Sequence, residues 1–116
     1  VRDPKIDIGA LLGREFVAFG AARDGDDRDG AWLALERAHI VSQLAFAPHV
    51  KVHLAMLRFA IEIRDAREAW GQLFRLALVP VGHALRRLPV GNTGRSNVSA
   101  FVPMTLPEDL AAEIQR

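Results

Sequence analysis

The sequence predicts an all-α domain: two antiparallel helical hairpins, four main helices in all, forming a small bundle or repeat pair. An extended C-terminal tail and a short final helix close it. Three observations lead there. Apolar residues return at spacings of three and four through most of the first 88 positions. Short acidic residues stand where helices should begin. Turn-forming residues crowd into one late word, PVGNTGRSNVSAFVPMTLP, which reads as tail.

The first helix is expected over residues 6–23, where Ile8, Leu11, Leu12, Phe16, Phe19 and Ala22 form one stripe. The run Asp24-Gly25-Asp26-Asp27-Arg28-Asp29-Gly30 stops it, and Asp27 or Asp29 caps a second helix over 30–44. Trp32, Leu35, Ala38, Ile40 and Val41 supply its buried face. Pro48 suits a first helical turn, so a third helix is placed at 48–63, burying Val52, Ala55, Met56, Leu57, Phe59, Ala60 and Ile63. Asp65 and Glu68 have the spacing of a capping box ahead of a fourth helix over 66–78, with Trp70, Leu73, Phe74 and Ala77 inward. Pro80 and Gly82 are expected to break it, leaving at most one further helical stretch over 81–87. The last short helix starts near Pro107, and Val98, Phe101, Val102 and Met104 are expected to pin the tail to the body.

Composition sets the class. The chain has 116 residues, half apolar and a quarter charged, which suits one globular domain, with residues 1–88 as body and 89–116 as tail. A net charge of +1 gives no whole-molecule field toward nucleic acid, and no nucleic-acid motif is present. No cysteine is present, which removes disulfides, thiolate metal sites and cysteine nucleophiles. No apolar run approaches the ~20 residues of a membrane span, and no cationic-then-apolar leader is visible, so the expected compartment is the cytoplasm.

Shifted by 38 residues, the chain matches itself: Ala31-Trp32 on Ala69-Trp70, Leu35 on Leu73, Arg37 on Arg75, Phe19 on Leu57 and Ala22 on Ala60. This period and its small residues loosely resemble tetratricopeptide-type repeats. The words LERAHIVSQ, PHVKVHLAMLR, AREAWGQLFRL and PVGNTGRSNVSAFVPM, in this order, resemble a small bacterial family known only as a domain of unknown function. The resemblance covers nearly the whole chain and implies a helical domain with histidines in two signature words. It implies no activity.

The candidate chemistry lies in individual side chains. Glu36 and His39 stand at i and i+3, with Gln43 four further on, on one face of the second helix. His49 and His53 share a face of the third, with Met56 beyond them. A fold-back about Phe46 levels His39 with His53 and Gln43 with His49. His39, His49, His53 and Glu36 are thus candidate ligands for a divalent transition metal, zinc, copper or iron, since imidazole nitrogen and carboxylate oxygen suit all three. Glu15, Glu62 and Glu68 are conceivable extra ligands, whereas His83, beyond Pro80, reads as structural or exposed. A haem with axial imidazoles finds no other support. The turn from Gly91 to Asn97, with Arg86, Arg87 and Arg95 near it, has the makings of an anion nest but reads better as a structural turn. No G-x-S-x-G and no phosphate-binding loop is present, so turnover is expected only through a metal, and a binding or accessory role is the first reading. The alternative is a helical interaction module with structural histidines, engaging a protein partner or a second copy.

Overall fold

The helices begin where short side chains can serve backbone N–H groups. The structure, a computed structural model, describes residues 7–86 and 88–114. Asp7 caps α1 (Ile8–Asp24) by accepting from Ala10 N–H at 2.9 Å, so the earlier start expected at Ile6 lies outside the described residues. Asp27 caps α2 (Arg28–Ser42) by accepting from Gly30 N–H at 2.9 Å, which starts that helix two residues sooner than expected. α3 (Phe46–Glu62) starts before Pro48, which sits in the first turn, where amide donors have no helical partner to lose. Asp65 caps α4 (Ala66–Leu85) through Glu68 N–H at 3.0 Å, but Glu68 turns its carboxylate elsewhere, so no reciprocal box forms. A short α5 (Glu108–Ile114) ends the order, and no strand occurs among the described residues.

Two expectations about α4 are overturned. Pro80 and Gly82 do not break it; one helix runs from Ala66 to Leu85 and ends on Arg86 in the left-handed region at φ 53°. Pro80 is exposed, on the side where water can serve the carbonyl that loses its donor. Nor do Trp70, Leu73, Phe74 and Ala77 face inward: all four are exposed, Trp70 to 73%. The inner face carries Glu68, Gln72, Arg75 and Val79 instead. Polar groups hold that side because the histidines and the tail backbone supply partners for them there, and a purely apolar stripe would leave those partners unsatisfied.

The core lies where α1 packs on α2 and α2 on α3. Leu12, Trp32, Leu35, Ala38, Val41, Val52, Met56, Phe59 and Ala60 are buried in it, and Phe59 takes Phe19 and Trp32 edge to face at 5.3 and 5.0 Å between ring centres. Leu110 of α5 is fully buried against this core, while Arg37 reaches Glu15 and Asp109, and Arg14 reaches Glu113. No helix among the described residues is long and apolar enough to cross a membrane.

The tail is fastened by polar contacts rather than by the apolar residues expected to pin it. Phe101, Val102 and Met104 are 70%, 51% and 37% exposed. Asn92 is buried and its amide donates to Ser99 and Val102 carbonyls at 2.7 and 2.8 Å, while its Oδ1 accepts from Gly94 N–H. Gln43 donates to Pro89 carbonyl and accepts from Gly91 N–H, clamping the tail to the end of α2. Arg95 lies 3.8 Å over the Trp32 ring and pairs with Glu68 and Glu36. The Gly91–Asn97 turn thus spends its groups internally, as a structural turn does.

The repeat offset yields a direct test of the packing. Leu35 is fully buried, and Leu73, which falls on it at the 38-residue offset, is 44% exposed. Leu35→Ala is expected to cost about 2–5 kcal/mol, and Leu73→Ala less than about 1 kcal/mol, in urea unfolding followed by circular dichroism. Equal costs would contradict this packing.

Candidate metal centre

Three imidazoles meet between α2, α3 and α4. His39 comes from the last turn of α2, and His49 and His53 from successive turns of α3. All three are buried, at 3%, 4% and 2% exposure. Phe46 is already helical, so the fold-back lies before it, and His39 comes within reach of both His49 and His53. His39 Nε2 accordingly stands 3.1 Å from the Nε2 of each. Gln43, expected level with His49, instead serves the tail.

The outward ring nitrogens fix the tautomers. His39 Nδ1 lies 2.7 Å from the carbonyl of Asn92, which can only accept, so Nδ1 carries the proton and Nε2 is a bare lone pair. His53 Nδ1 lies 2.7 Å from Gln72 Oε1, and the Gln72 amide nitrogen donates to Glu68 and to Gly94 carbonyl, both at 2.8 Å. Its oxygen therefore accepts, and His53 Nε2 is bare as well. Two lone pairs face each other at 3.1 Å with no hydrogen between them.

Gly94 makes this arrangement possible. Its φ of +81° suits glycine, and a Cβ there would stand 2.6 Å from the His39 ring carbons. The tail can thus bring the Asn92 carbonyl onto His39 only because position 94 has no side chain.

His83 has a structural contact with the site, one of the two roles expected of it. Its Nε2 stands 2.9 Å from His49 Nδ1, and its ring packs edge-on against Phe46. It arrives there because α4 continues through Pro80, placing His83 about three turns beyond Gln72 on the same face. That spacing was available as a signal once the helix is taken as unbroken. Nothing comparable announced the Asn92 carbonyl.

The carboxylates are committed elsewhere. Glu36 does not join the imidazoles: Arg95 Nη1 holds it at 3.2 Å, although burial still lifts its carboxyl above the usual range. Glu15 pairs with Arg37, Glu62 with Arg23 and Glu68 with Arg95. Among the described residues, the group whose ligand atoms lie close enough together to share an ion is His39, His49 and His53.

Beside the imidazoles lies a cleft of about 250 Å³, walled by Leu78, Val79, Val81, Leu85 and Phe101 and by Arg75. Arg75 donates to the carbonyls of Gly71 and Val98, and its Nε is buried without a partner.

A small helical domain with a buried triad of histidines is thus the class that fold and site define. The chain belongs to the family described as Protein of unknown function (DUF3703), whose model matches residues 7–114. No curated protein and no solved structure matches it.

Burial is the main cause that holds these rings neutral. It pushes His39 well below its ordinary value of 6.5, aided by the neighbouring imidazoles. It takes His49 to about 3, again with help from adjacent rings. His53 is pushed to about 4, the Gln72 bond opposing. In the unfolded chain the same rings take protons near 6.5, so below that pH protons favour unfolding. Metal-stripped protein is expected to lose stability as pH falls from 6.5 toward 4, at a slope approaching about 1.4 kcal/mol per pH unit for each ring. Urea unfolding at pH 7 and pH 5 measures it, and His53→Phe should flatten the slope. Equal stability at both values would mean the rings are not held neutral.

Proposed function

We propose that this chain binds a divalent transition metal through the Nε2 atoms of His39, His49 and His53, in a binding or accessory role. The supporting observation is the pair of facing lone pairs. Neutral rings so oriented repel each other, and burial disfavours the proton that would separate them, which leaves a metal cation as the species suited to the gap. Around a tetrahedral ion with metal–nitrogen bonds of about 2.0–2.1 Å, ligand nitrogens stand about 3.3 Å apart, close to the 3.1 Å that separates His39 Nε2 from each of the other two. His49 completes the set in the tautomer whose Nδ1–H donates to His83. Each ligand then gives its distal N–H to an acceptor, the Asn92 carbonyl, Gln72 or His83, as metal-bound histidines characteristically do. Zinc, copper and iron all accept imidazole nitrogen.

Protein purified without a polyhistidine tag and titrated with zinc is expected to bind one equivalent. Zinc at a hundred times its Kd should add about 2.7 kcal/mol of stability. His39→Ala and His53→Ala should abolish uptake, and Glu36→Gln should keep it. Gly94→Ala should weaken it at least tenfold by displacing the His39 ring. Calorimetry with metal analysis decides. No uptake by the unsubstituted protein, or uptake unchanged in the two histidine variants, overturns the reading.

The outer face of α4 favours a second, compatible reading as an interaction surface. Trp70 lies exposed, whereas its repeat partner Trp32 is 5% exposed beneath Phe59 of α3. A surface of this kind is one that a helix covers inside this fold, and a second copy of the chain supplies such a helix. Sedimentation is expected to show a dimer that Trp70→Lys converts to monomer at unchanged zinc stoichiometry. A monomeric parent protein at tens of micromolar would sink this reading.

A further inference from the structure

The cleft beside the imidazoles has one unusual resident. Arg75 is 8% exposed, yet its hydrogen-bond partners are neutral backbone carbonyls and its Nε has none. A buried guanidinium with no ion partner is an incomplete arrangement, because charges taken from water are normally returned an opposite charge. Glu68 acts on it from a distance, but that carboxylate is already taken by Arg95, Gln72 and Ser96 N–H. None of the cleft's described lining residues is acidic, and most of its surface is apolar.

We propose that this cleft binds a small organic monocarboxylate, its carboxylate paired with Arg75 and its apolar body against Leu78, Val79, Val81, Leu85 and Phe101. The charge follows from Arg75, whose planar guanidinium suits a carboxylate. The apolar body follows from the walls. Size follows from the volume: a cavity of about 150 Å³ takes benzene, so the 250 Å³ here accommodates about ten non-hydrogen atoms. The proposal deepens the metal reading, since His39, His49 and His53 line the same cleft and three protein ligands leave an ion with a free position that a carboxylate oxygen suits. Its first attachment point, Arg75, does not depend on that ion.

The test uses the full chain, ¹⁵N-labelled, once stripped of metal and once loaded with zinc, titrated with benzoate and with the neutral isostere benzamide. Amide shifts at Val79 and Gly82 report occupancy. Benzoate is expected to bind at least tenfold more tightly than benzamide in both forms. Arg75→Met should remove that preference, and so should Leu85→Glu, which adds a negative charge at a 60% exposed wall position and so keeps the test usable if the arginine variant does not fold. Equal binding of the two compounds, or binding of neither in either form, overturns the proposal. Zinc uptake without benzoate preference defeats the cleft assignment alone; benzoate preference without zinc uptake supports the cleft and defeats the metal reading alone.

Discussion

Everything at the centre of this molecule depends on where two ring protons go. An imidazole with one nitrogen held against an acceptor has no freedom about the other, and for His39 and His53 the acceptors are a backbone carbonyl and a glutamine oxygen. The Asn92 carbonyl and Gln72 commit the lone pairs of His39 and His53 to the same small volume. The rings themselves are almost wholly buried. Convergent lone pairs are thus a product of the outer contacts as much as of the histidines themselves.

Those outer contacts explain features that look costly in isolation. α4 turns Glu68, Gln72 and Arg75 inward and leaves Trp70 and Phe74 outside, the reverse of an ordinary amphipathic helix. The inversion is reasonable once its inner side is seen as a polar bracket: Gln72 orients His53, Glu68 holds Gln72 and Arg95, and Arg75 holds the tail at Val98. The tail in turn returns a carbonyl to His39. Apolar burial is concentrated instead among α1, α2 and α3, so core and polar centre are adjacent but separate.

Much of this was legible in the sequence. Capping aspartates announced α2 and α4 correctly, because an N-cap is a local device whose partner lies three residues away. The helical spacing of His39, His49 and His53 sufficed to bring them together. The illegible parts are those decided by tertiary context. Proline at an exposed helical position is a local penalty that packing overrides, and the break expected at Pro80 left the contact of His83 with His49 unforeseen. Periodicity alone identified a stripe on α4 but not which way it faces, since the polar face finds its partners in a tail more than twenty residues distant. Glu36 had the spacing of a ligand, yet Arg95, far along the chain, claims it.

Gly94 carries a consequence for how such centres are recognised. It touches no ion and donates nothing to one, yet a single methyl group at its Cα would press on the His39 ring. The geometry is therefore encoded partly by the lack of an atom, in a loop that carries no histidine. A pattern built only from the four imidazoles would accept chains whose tails are too bulky to seat the first of them. A pattern that also demands the small residue admits only those in which the ring has room to stand.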